Sequence, residues 1–144
     1  MNETDTVKLL RECDAGIKMG VASIDDVLDY ASQQQFRDRL VHCKTEHEKL
    51  KEDIKALLAE HNDKGKEPNP MAKGMTWMKS NVKIAVEHSD ATIADLMTDG
   101  CNMGVKSLRR YLNQYSAADE KSKDIAKKLI NLEKQLVEDI RQYL

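Results

Sequence analysis

The chain has 144 residues and a formal net charge of −2, from 23 basic and 25 acidic side chains mixed along its length, with one Trp, one Phe and four Tyr. That is one domain, long enough for a continuous apolar core. The mixing leaves no basic stripe for nucleic acid and no polybasic anchor for a membrane surface, and no run of ~18 apolar residues offers a transmembrane helix.

The N-terminal stretch Met1–Leu10 is polar and acidic, unlike a signal peptide. Cys13, Cys43 and Cys101 are odd in number, widely spaced and set in helical patterns. They read as reduced core thiols of a cytoplasmic protein. Long stretches rich in Ala, Leu, Lys, Glu, Asp and Gln favour helices throughout.

A first helix is predicted over about 4–31, where Leu10, Ile17, Val21, Ile24, Leu28 and Ala31 recur on three- and four-residue steps and Asp14 is the polar position of the seam. Ser32-Gln-Gln-Gln35 reads as a capping box, so a second helix follows almost at once and lies antiparallel to the first. It spans about 33–63 and carries Phe36, Leu40, Cys43, His47, Leu50, Ile54, Leu57 and His61, with Gly65 as a C-cap. Asn69-Pro70 is an N-cap followed by proline at the first helical position, starting a shorter helix over about 70–88 with Met71, Met75, Met78 and Val82 in a stripe. Ser89 or Asp90 restarts the chain as a helix over about 90–115, seamed by Ile93, Met97, Cys101, Gly104, Leu108, Tyr111 and Tyr115. The alternative is one rod continuous through Ser89. Ser116-x-x-Asp119 caps a last helix over about 118–143, with Ile125, Leu129, Leu132, Leu136, Ile140 and Tyr143 on its seam.

Two hairpins joined by one long connection form an all-α four-helix bundle of ferritin-like topology, with an additional helix in the crossover. The helix spacing, with Asn69-Pro-Met-Ala-Lys-Gly74 and Asp99-Gly-Cys-Asn-Met-Gly104, resembles the small bacterial ferritin-like proteins of unassigned function. Ferritin-like metal proteins hold two metals with one Glu from each of two helices and a Glu-x-x-His from each of the others. Here no Glu-x-x-His occurs: Arg39, Lys44, Leu58 and Ala85 stand three residues before the four histidines. The resemblance sets Gly16–Ile17 and Cys101 where single glutamates would sit. It leaves Glu46 and Glu133 as remnants, followed by Lys49 and Leu136 instead of histidines. It therefore implies a lost dinuclear site.

Gly16 and Gly20 share one helix face, as do Gly100 and Gly104, and each glycine costs ~0.5–1 kcal/mol against alanine inside a helix. Close helix contact at these four glycines would offset that cost and leave no room for a metal pair; local bending is the plainer alternative. His42, Cys43, Glu46 and His47 are the densest group of ligand-type side chains, but no third and fourth ligand stand nearby, and Cys43 and His47 are ordinary seam residues. Trp77 and Ile84, seven residues apart beside the Met75 stripe, form a second apolar flank suited to a subunit contact.

No phosphate loop, nucleophile elbow, CxxC pair or HExxH motif is present. The expectation is a non-enzymatic, metal-free bundle with no catalytic residue and no cofactor. It acts by self-association or partner binding, as a homodimer through Met75, Trp77 and Ile84. The alternative is a metal-binding protein with a mononuclear or degraded site at Glu46, His47 and Glu133. A third reading is a small-molecule binder using the bundle interior.

Overall fold

Helices are the only regular elements in the computed structural model, which describes residues 4–67 and 89–144. Four α-helices occur among these residues: α1 Asp5–Leu28, α2 Gln34–Glu60, α3 Asp90–Gln114 and α4 Glu120–Ile140, followed by a 3-10 turn Arg141–Tyr143. They pack as a four-helix bundle. No helix among the described residues is long and apolar enough to cross a membrane. The helix expected over 70–88 lies outside the described residues, as do Met71, Met75, Trp77, Met78 and Ile84.

Local chemistry explains the helix ends. Thr4, Ser89 and Asp119 are the N-caps of α1, α3 and α4, and each side chain accepts a backbone N–H, from Val7, Thr92 and Ser122 respectively. Ser89 has extended backbone, φ −93° and ψ 149°, so the chain does not run as one rod into α3. Ser116 stands ahead of the last helix but the cap is Asp119. At the end of α2, Asp63 N–H donates to Leu58 O (2.9 Å) and Asn62 N–H to Ala59 O (3.0 Å), a Schellman closure. Asn62, with φ +57°, takes the left-handed position expected of Gly65. Leu58 is the buried residue of this last turn, with Leu57 only half-buried.

Gly65 has a different task. Its φ is +92°, and a Cβ there would come within 3.1 Å of the Asp14 carboxyl carbon. That close approach lets Lys66 N–H donate to Asp14 Oδ2 at 2.9 Å. Asp14, the buried polar residue of the α1 seam, also pairs with Lys18 Nζ at 2.8 Å. Arg11–Asp63, Glu12–Lys66 and Lys18–Glu67 continue the contact, so residues 63–67 climb along α1 as the chain leaves α2.

Hydrogen bonds between the connections set the helix directions. Asp90, in the first turn of α3, accepts Ser32 N–H (2.8 Å), Ser32 O–H (3.0 Å) and Gln33 N–H (3.1 Å). Ser32 therefore does not cap α2 as a capping box would; it is itself held by a carboxylate from another helix. Burial works against ionisation of Asp90, but the donors from Ser32 and Gln33 outweigh it and hold the carboxyl below its ordinary value. At the opposite end, Asp5 and Thr6 of α1 accept the N–H groups of Ala117 (3.0 Å) and Asp119 (2.9 Å). α1 and α4 thus start at one end of the bundle, and α2 and α3 start at the other.

The interior forms two apolar clusters. One holds Leu10, Ile17, Leu50, Ile54, Leu108 and Leu129 among others; the second holds Ile24, Phe36, Leu40, Ile93, Met97 and Leu136. Every helix passes from one cluster to the other near its middle.

Candidate functional site

Between the two apolar clusters lies a polar layer. Walking each helix from cluster to cluster, α1 crosses at Gly20 between Ile17 and Ile24, and α2 at His47 between Leu50 and Cys43. α3 crosses at Gly104 between Leu108 and Cys101, and α4 at Glu133 between Ile130 and Leu136. Two helices thus supply the ionisable side chains of this layer and the other two supply glycines.

His47 is 2 % exposed and Glu133 8 %. Nδ1 of His47 lies 2.7 Å from the Cys43 carbonyl oxygen, which can only accept, so Nδ1 carries a proton. Cys43 Sγ sits 3.5 Å from the same nitrogen. This i to i+4 contact fixes the imidazole plane and aims Nε2 across the bundle, 3.7 Å from Glu133 Oε1. That is an ion pair just beyond hydrogen-bond length; Nε2 and Glu133 Oε2 are both buried without a hydrogen-bond partner among the described residues.

Burial alone would lower the pKa of His47, but its contacts with Cys43 and Glu133 outweigh burial and push it up to about 10. Burial raises the Glu133 carboxyl above its ordinary value, with His47 pulling the other way. The imidazole and the carboxyl face each other across the layer, and each favours the charged form of the other.

The glycines make room for this pair. A Cβ on Gly20 would lie 3.3 Å from both Cδ2 and Nε2 of His47, tight but close to tolerable. A Cβ on Gly104 would lie 2.9 Å from Cδ of Glu133 and nearer still to Oε2, inside any real contact. Gly16 and Gly100 are different: among the described residues, a Cβ at either meets nothing within 4 Å. Among the described residues, Gly16 and Gly100 make none of the helix contact expected at the four glycines. At Gly20 and Gly104 the neighbour is a polar side chain.

Of the residues considered as metal ligands, His47 and Glu133 come together and Glu46 does not. One residue before the buried His47, Glu46 turns outward and accepts from Lys49 Nζ at 3.0 Å, which holds its carboxyl below the ordinary value. Among the described residues no group of three or more His, Cys, Asp or Glu side chains is placed to hold a metal ion.

The three thiols are free and buried. Burial, then Glu12 and Asp14, push Cys13 up to about 12, and burial with Glu133 and Cys43 pushes Cys101 up as well. Neither has the cationic surroundings that would make a reactive thiolate.

No protein-family model, curated protein or solved structure matches the chain. The layer itself is the guide to function.

Proposed function

We propose that this chain is a non-enzymatic, metal-free helical bundle of ferritin-like topology that acts by self-association or by binding a protein partner. The observation that carries the reading is the His47–Glu133 pair at the middle of the bundle. The resemblance to ferritin-like metal proteins implies a metal pair held by inward carboxylates. Here the imidazolium supplies the positive charge that a metal would bring, and one carboxylate suffices to balance it. Gly20 and Gly104 shape the two remaining walls around that pair. The directions of the helices favour the same topology, since α2 and α3 start at one end, α1 and α4 at the other. A chain leaving α2 must then return along the bundle before α3 begins, which is what a crossover helix over 70–88 does.

The second reading, a mononuclear metal site, has His47 and Glu133 in its favour. Against it, Glu46 points elsewhere and Nδ1 of His47 is already engaged.

Partner binding rests on Met75, Trp77 and Ile84. In a helix, Trp77 and Ile84 align at a seven-residue spacing, offset by roughly 100° from Met78. A Met row that packs on its own bundle leaves that flank for a second copy. We expect a homodimer in the cytoplasm of a bacterium, with Trp77 at or beside the subunit contact. Sedimentation of the wild type should show a dimer at micromolar concentration, and Trp77→Ala should weaken it by about tenfold or more. A wild type that stays monomeric at high micromolar concentration, or a variant that keeps full dimer affinity, refutes the contact.

A further inference from the structure

A cleft of about 390 Å³ opens at the end of the bundle where α2 begins, lined by Gln35, Asp38, Arg39, His42, Gln142 and Tyr143. Its size falls in the range of small-molecule sites. Arg39 and His42 are three residues apart on α2, so they share a helix face. Neither makes an ion pair or a side-chain hydrogen bond with another described residue, in contrast to Lys18, Lys44, Lys49 and Lys66. The cleft's carboxylate, Asp38, is engaged by the Gln34 side-chain amide at 2.7 Å. Tyr143 gives the lining a stiff aromatic ring. Tyr143 stacks on the fully buried Phe36 with ring centroids 4.6 Å apart and planes at 21°. Tyr143 is only 9 % exposed, and its hydroxyl is buried without a hydrogen-bond partner among the described residues.

We propose that this cleft binds a small ligand bearing an oxyanion, a carboxylate or a phosphate ester. A guanidinium presents a planar fork of donors that matches either oxyanion, and the imidazole one turn on adds another donor. The amides of Gln35 and Gln142 supply neutral donors for the rest of the ligand. A metal cation fits poorly, because the one carboxylate is already bonded and Arg39 stands beside it. The site is separate from the polar layer at mid-bundle and does not depend on the function proposed for that layer.

The test is a pair of ¹H–¹⁵N titrations of the whole chain at constant ionic strength, one with inorganic phosphate and one with citrate. At least one probe should give saturable shifts centred on Gln35, Arg39, His42 and Tyr143. Saturation by phosphate alone identifies a phosphate ester as the natural class, and saturation by citrate alone a carboxylate. Arg39→Gln should weaken the binding about ten- to a hundredfold, as loss of a charged hydrogen bond does. Tyr143→Phe, which keeps the ring stack, should leave the fold intact and weaken binding less. Absence of saturable shifts with both probes overturns the proposal. So does an Arg39→Gln variant that binds as the wild type does.

Discussion

Replacing His47 by Leu should destabilise the protein by about 3–5 kcal/mol, the cost of leaving the Glu133 carboxylate buried without a counter-charge. Leucine fills much of the imidazole's space, so loss of volume is a minor part of the effect. The double variant His47→Leu/Glu133→Leu should recover most of the loss, because two apolar groups restore a layer with no unmatched charge. Chemical denaturation of the wild type, both single variants and the double variant closes the cycle. The pair also makes stability depend on pH. The folded-state pKa of His47 is raised to about 10, so its contribution is fully present below its ordinary value of 6.5 and is lost as pH rises towards 10. The wild type should lose stability over that window more steeply than His47→Leu, whose remaining slope near its upper end comes from the buried thiols of Cys13 and Cys101. Equal slopes for both proteins would mean that the imidazole is neutral in the folded state across that window.

Two glycines one turn apart should respond with opposite signs. No described residue comes within 4 Å of a Cβ at Gly100, so Gly100→Ala should gain about 0.5–1 kcal/mol from helix propensity alone. Gly104→Ala puts a methyl group against the Glu133 carboxyl, whose carbon would be 2.9 Å away. The clashing atoms are the end of a flexible side chain held by His47, so with that pair kept the substitution should cost about 1–3 kcal/mol, as overpacking does. Gly104→Ala in the background of Glu133→Ala should lose that penalty. Thermal denaturation of the set checks the signs, and stabilisation by both single alanines would remove the steric role given to Gly104.

These glycines also show what sequence can and cannot reveal. Gly16, Gly20, Gly100 and Gly104 look alike in sequence, each four residues from another on one helix face. Only the position of α2 and α4 separates the pair that faces side chains from the pair that meets no described residue. The four helices themselves were legible, because their apolar steps and the cap Ser89 are local signals, whereas the cap of the last helix is Asp119 and not Ser116. Ser32 misled for the opposite reason. Its spacing to Gln35 matches a capping box, yet the stronger acceptor is Asp90, which is fifty-eight residues away in sequence. Asn62 took the left-handed position at the end of α2 because its side chain tolerates that conformation, leaving the more permissive Gly65 for the approach to Asp14. Of the ligand-type residues, Glu133 and His47 stand out once the seams are drawn. Their meeting depends on how α2 packs on α4, a register that periodicity does not report.

The most direct test of a bundle centred on an internal ion pair is elemental analysis of the protein purified without an affinity tag. The His47–Glu133 pair predicts well under one equivalent of iron, manganese or zinc per chain, unchanged in the His47→Leu/Glu133→Leu variant. Two tightly bound metals per chain in the wild type, lost in that variant, would contradict it.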